Sequence, residues 1–298
     1  MHVLSTFLGL NWGTPFYVMG LFGISAFFMR SKVKGKESGI NWSPLESLCV
    51  TIAIYFFGQL IGFLIFVTSF ALYGSIVGAH DISFFPHAFR TTIDGINTFS
   101  LTPFWQFLQT LCIEGTVLFL LVVFLRLRKA NFQTIGLKKT KWLRSIVYVL
   151  LGYGVYFALY IGLLVVVQRI VAIDVNQPQQ LGFKNDAHGG QLAFVFASLV
   201  LLPPFVEEVL VRGFLYSGLK KGLPVVWAAL ITSALFATAH LEAGSGAKLL
   251  WVAAIDTFTL SLVLIYLREK TGSLWAGIGL HMLKNGIAFI SLFVFHLM

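Results

Sequence analysis

The sequence predicts an all-α fold, a polytopic integral membrane bundle of about eight transmembrane helices. Three observations carry that prediction. The 298 residues are 57% hydrophobic and only 11% charged, whereas a soluble domain averages about 25% charged. Apolar runs of about 20 residues, enough to cross a bilayer core as helix, recur along the whole chain. The connections between those runs alternate between basic and nearly uncharged. The strand alternation that a membrane β-barrel requires is absent.

Taken in order, the first span is 12–30, closed by "RSKVKGKE" with four basic residues. Its upstream stretch "MHVLSTFLGLNW" has neither a basic n-region nor a small-residue cleavage site, so this span is expected to do the targeting. The second, 45–77, is over-long and must tilt, kink or project beyond the bilayer. The third is 104–125, followed by "RLRKANFQTIGLKKTKWLR" with seven basic residues. The fourth, 143–172, is again over-long. The remaining spans are 191–218, 223–241, 249–267 and 273–296. Lys220 and Lys221 follow the fifth, and "REK" follows the seventh. The other loops, near 78–103 and 173–190 and before 249, hold Arg90, Lys184 and Lys248 against several acids. The positive-inside rule then puts the four basic loops in the cytoplasm and both termini outside, as expected for the plasma membrane of a prokaryote. The net charge of +9 is thus a signature of topology, and no nucleic-acid partner is expected. Cys49 and Cys112 sit inside apolar runs and read as small hydrophobes.

Against this background "PPFVEEVLVRGF", 203–214, places two glutamates and an arginine within a span. On the insertion scale each such charge costs roughly 2.5–3.5 kcal/mol at the bilayer centre. Facing lipid, the three would cost on the order of 7–10 kcal/mol, so they must face inward. Glu208 and Arg212 are i and i+4 in the favourable order for an ion pair. Glu207 points about 100° away and has Leu210 and Val211 at i+3 and i+4, which leaves it free. Pro203 and Pro204 remove backbone donors just upstream, so a kink or a new helical segment is expected there.

Two further motifs fall on the following spans. "FATAH" puts Phe236 and His240 on one helix face, and "HMLKN" does the same for His281 and Asn285. Counted at about 1.5 Å per residue, Glu207, His240 and His281 lie within about 10 Å of one another in depth. A carboxylate and a histidine can deprotonate a water, and a second histidine with an amide can stabilise an oxyanion. The set Glu207, His240, His281 is equally a candidate zinc site that would activate water on the metal. Either route hydrolyses an acyl bond, with a peptide bond the leading choice.

EExxxR (Glu207, Glu208, Arg212), FxxxH (Phe236, His240) and HxxxN (His281, Asn285) in this order resemble the CPBP intramembrane protease family. That family includes type II CAAX prenyl endopeptidases, proteins similar to lysostaphin resistance protein A, and bacteriocin self-immunity (Abi) proteins. The resemblance covers about 190–296. It implies a core of four spans over 191–298, with 1–190 as an N-terminal region of four spans that resembles no family. It further implies that Glu207 and His240 act on the water while His281 and Asn285 form the oxyanion site, with Glu208, Arg212 and Phe236 in support. The implied substrate is a peptide or membrane protein within the lipid bilayer. A zinc and a metal-free glutamate mechanism both stay open, and HExxH is absent. The loop charges set the site nearer the outer leaflet, so prenylated substrates are not assumed.

Each residue also has a plainer reading. Glu208–Arg212 is a structural pair, His240 an interfacial residue, His281 a packing histidine and Asn285 an interhelical hydrogen bonder. Asp256, mid-span, has Lys284 as its candidate partner. Ser245, in a Gly/Ser tract, would form a Ser–His dyad with His281 in a serine-protease reading. The non-enzymatic alternative is a membrane scaffold or self-immunity protein that uses the same polar pocket to bind a partner.

Overall fold

A computed structural model describes residues 39–77, 102–170, 187–241 and 251–296. The expected span at 12–30 and Ser245 lie outside the described residues. Those described form helices throughout: α1 Pro44–Val77, α2 Pro103–Leu127, α3 Trp142–Ile170, α4 Gln191–Gly222, α5 Val225–Ala239, α6 Trp251–Thr271 and α7 Trp275–Val294. Six of them are long and apolar enough to cross a membrane. The exception is α5. Its 15 residues reach about 22 Å at 1.5 Å per residue, short of a core about 30 Å thick. Pro224 precedes α5 and His240 closes it, so the apolar run 223–241 is a shorter helix that ends inside the bundle's depth.

Local chemistry sets the helix starts. Ser43 and Glu46 form a capping box around Pro44: the Ser43 N–H donates to Glu46 Oε2 (2.7 Å) and the Glu46 N–H to Ser43 Oγ (3.2 Å). This satisfies donors that a helix start leaves orphaned. Glu46 Oε1 also takes Arg128 Nη2 at 2.6 Å, which ties the start of α1 to the end of α2. Between them α1 and α2 pack through Gly58 and Gly62, a small-xxx-small pair. A Cβ on Gly62 would stand 2.5 Å from the Ile113 Cα, and one on Gly58 2.3 Å from Val117 Cγ2.

Among the described residues, the three basic connections that follow α2, α4 and α6 meet at one end of the bundle. There Lys220 pairs with Glu269 at 2.5 Å, Lys221 donates to the Ile40 carbonyl and Arg268 to that of Ile135. Leu274 N–H donates to the Gly136 carbonyl.

The centre is α4. It packs against α1, α2, α5 and α7, and the Trp42, Phe124 and Phe214 rings cluster on it at 5.1–6.1 Å. By contrast α3 lies against α6 and α7 and buries only Gly152 and Tyr156; its other faces carry exposed apolar side chains such as Leu150, Leu151 and Val155.

Candidate active site

Two π-helical stretches interrupt α4, at Ala197–Leu201 and Glu208–Leu215. The first has a cause in the sequence. The Leu199 carbonyl would receive the N–H of residue 203 in an α-helix, or of residue 204 in a π-helix. Both are proline and neither has a donor. The orphaned oxygen is satisfied from α7: Asn285 Nδ2 donates to it at 2.9 Å. The kink expected from Pro203 and Pro204 is therefore a π stretch with an external cap.

In the second stretch every residue from Glu208 to Leu215 is buried. Arg212 Nη1 donates to Glu208 Oε1 at 2.9 Å, with both side chains almost fully enclosed. That same oxygen takes His281 Nδ1 from α7 at 3.0 Å. A carboxylate only accepts, so Nδ1 carries a proton, and Nε2 is the ring nitrogen on the Glu207 side. Gly277, one turn before His281, faces Glu208: a Cβ there would lie 3.5 Å from Oε2, so α7 approaches closely. Among the described residues Glu208 Oε2 and Arg212 Nε and Nη2 have no hydrogen-bond partner.

Glu207 does not share this burial. About 29% of its side chain is exposed, and its Oε2 lies 3.9 Å from His281 Nε2, beyond hydrogen-bond reach. The free and paired glutamates thus stand on either side of one imidazole.

Phe236 organises the third element. Its ring lies under the Arg212 guanidinium, 4.0 Å from centroid to Cζ, and 6.1 Å edge-on from His281. Its carbonyl meets His240 Nδ1 at 2.8 Å, and the two rings are 4.6 Å apart. A carbonyl only accepts, so His240 also donates from Nδ1 and offers Nε2.

The seven residues singled out from the motifs therefore meet at one place, but their pairing differs from the one that the resemblance implies. His281, not His240, stands beside Glu207, and among the described residues no hydrogen bond or ion pair joins His240 to Glu207. One Asn285 amide hydrogen is engaged on α4. For the zinc candidates Glu207, His240 and His281, both Nδ1 atoms are committed elsewhere. Among the described residues no group of three His, Cys, Asp or Glu side chains converges to hold a metal ion. Each ring keeps Nε2 open, and donation from Nδ1 to a carboxylate or a carbonyl is the second-shell arrangement of a metal-binding histidine.

One residue at this depth was not foreseen. Tyr156, from α3, donates its hydroxyl to Asp256 Oδ1, and Asp256 Oδ2 pairs with Lys284 Nζ at 2.7 Å. The pairing of Asp256 with Lys284 follows from the sequence; a tyrosine 100 residues upstream carries no periodic signal.

Comparison with known proteins agrees with the motifs. Residues 189–287 match the family model described as Type II CAAX prenyl endopeptidase Rce1-like. No curated protein and no solved structure matches the chain. The match runs from just before α4 into α7 and includes all seven motif residues, while α1–α3 lie outside it. The three motifs and this match agree: over residues 189–287, a third of the chain, it is similar to the Rce1-like type II CAAX prenyl endopeptidases, a family of membrane proteases.

Proposed function

We propose that the protein is an intramembrane endopeptidase in which Glu207 activates a water against a peptide bond. The observation that carries this reading is the gap between Glu207 Oε2 and His281 Nε2. In the neutral, Nδ1-protonated form of His281 that this reading takes, both atoms are acceptors. An oxygen about 2.8 Å from each subtends about 90° between them, close to the angle between the two O–H bonds of water. One water donating to both fits the gap, with its lone pairs turned towards a carbonyl carbon.

Glu207 takes the proton as the water oxygen bonds to that carbon. The oxyanion accepts from the second amide hydrogen of Asn285. The C–N bond breaks as the proton passes from Glu207 to the leaving amine. Glu208, held by Arg212, keeps His281 in the tautomer that faces the water, much as a buried carboxylate does in other hydrolytic triads. His240, fixed by the Phe236 carbonyl, is a second acceptor at the site. The reaction is written without a metal, with Glu207 as the base; a zinc held by Glu207, His240 and His281 is the alternative that the metal assay below decides. The substrate is a peptide or membrane protein reached within the bilayer, and the basic loops face the cytoplasm of a prokaryotic cell.

The test is cleavage of a reporter peptide library by purified protein in detergent, wild type beside Glu207→Ala and Glu208→Ala, with metal content assayed on each. Loss of cleavage in a folded Glu207→Ala supports the proposal. No cleavage by any sample, with cellular function intact in Glu207→Ala, would instead favour the scaffold or self-immunity reading.

A further inference from the structure

The network Tyr156–Asp256–Lys284 joins α3, α6 and α7 away from the motif residues. Lys284 is three residues after His281, hence on the same side of α7. An aspartate and a lysine inside spans are costly, and replacing a buried ion pair with apolar side chains is often neutral or stabilising. Stability alone does not account for the pair. Its place does. Asn285, one residue on and about 100° around the helix, bonds the Leu199 carbonyl of α4. So α7 is held from two directions immediately after His281, by Asn285 to α4 and by Lys284 to α6.

We infer that Lys284, held by Asp256 and Tyr156, is a positioning residue that sets the rotation of α7 and with it the aim of His281 at Glu207. This rests on the proteolytic reading for its consequence in turnover, though not for its geometry. The imidazole Nε2 lies roughly 7 Å from the helix axis, given a Cα radius of about 2.3 Å. A rotation of about 10° then moves it by about 1.2 Å, a displacement that can cost on the order of 100-fold in rate. It also brings α3 into the functional unit, since Tyr156 completes the network from outside the matched segment.

The experiment uses the full chain with ¹⁵N-labelled histidine, the His281 signals being assigned from His281→Gln. Its variants are Asp256→Leu/Lys284→Met, Lys284→Arg and Tyr156→Phe. The double variant should unfold within a few degrees of wild type. It should nonetheless shift or broaden the His281 ring signals and lower kcat roughly 10- to 100-fold at unchanged KM. Lys284→Arg should recover turnover to within a few-fold, and Tyr156→Phe should fall between. A merely structural pair would lose nothing once stability is restored. A double variant, or Tyr156→Phe should the double not fold, that keeps the wild-type His281 signal overturns the inference. So does a double variant with wild-type turnover. Should wild type cleave nothing, the proteolytic reading falls and the His281 signal still decides the positioning.

Discussion

Replacing Arg212 with methionine is the sharpest test of how the charges are held. Glu208 and Arg212 are both 0% exposed and 2.9 Å apart. Removing one partner of such a pair strands the other in a low-dielectric interior and costs about 3–5 kcal/mol. The guanidinium also lies 4.0 Å from the Phe236 ring, and a desolvated cation–π contact is worth up to about 2 kcal/mol. Arg212→Met should therefore lose about 3–5 kcal/mol or slightly more, a large part of the 5–15 kcal/mol that typically separates folded from unfolded states. Unfolding followed by tryptophan fluorescence in mild detergent measures it, with Glu208→Gln/Arg212→Met as the second arm. The double variant should recover most of the loss because no charge is left behind. An Arg212→Met protein within about 1 kcal/mol of wild type, below the range expected for a buried pair, would refute the reasoning.

Gly62→Ala would bring a Cβ to 2.5 Å from the Ile113 Cα. Overpacking against backbone should cost about 1–3 kcal/mol, read from the same unfolding curves, while Gly115→Ala, with open space around it, should be near neutral. Glu46→Ala removes a helix cap and the partner of Arg128; a loss of at least about 1 kcal/mol is expected from the cap alone. A strong chelator should leave cleavage unchanged; stoichiometric zinc that departs together with activity would refute the metal-free mechanism.

The positions of most spans were legible in the sequence because apolar runs and basic loops are consequences of the bilayer itself. Expected limits of 45–77, 104–125 and 143–172 meet observed helices Pro44–Val77, Pro103–Leu127 and Trp142–Ile170. The run 223–241 was legible in the same way and meets α5, Val225–Ala239; composition did not register that this helix is shorter than the other six. The Glu208–Arg212 pair was legible because it is local to one helix. The hold of Glu208 on His281 was not, since it depends on how α7 packs against α4, across 73 residues of sequence. Tyr156 was invisible for a related reason. In a lipid-facing helix an aromatic residue looks like its neighbours, and only the fold brings it to Asp256.

The two prolines before the glutamates link these levels, and Asn285→Leu tests that link. Pro203 and Pro204 deprive the Leu199 carbonyl of a donor in either helical register, and only a side chain from another helix can replace it. Asn285 does so four residues after His281, so the break that sets off the glutamates also specifies where α7 must dock. A leucine at 285 leaves that carbonyl without its partner, and a buried unsatisfied acceptor costs about 1–3 kcal/mol. If the bond serves only stability, Asn285→Leu should lower the unfolding midpoint and leave the His281 ring signals of the folded protein unchanged; turnover does not discriminate, because Asn285 is also the proposed oxyanion donor. The docking reading requires more: those signals should shift or broaden, because α7 loses one of the two holds that aim His281. An Asn285→Leu protein with wild-type His281 ring signals would show that the Leu199 contact does not set the docking of α7.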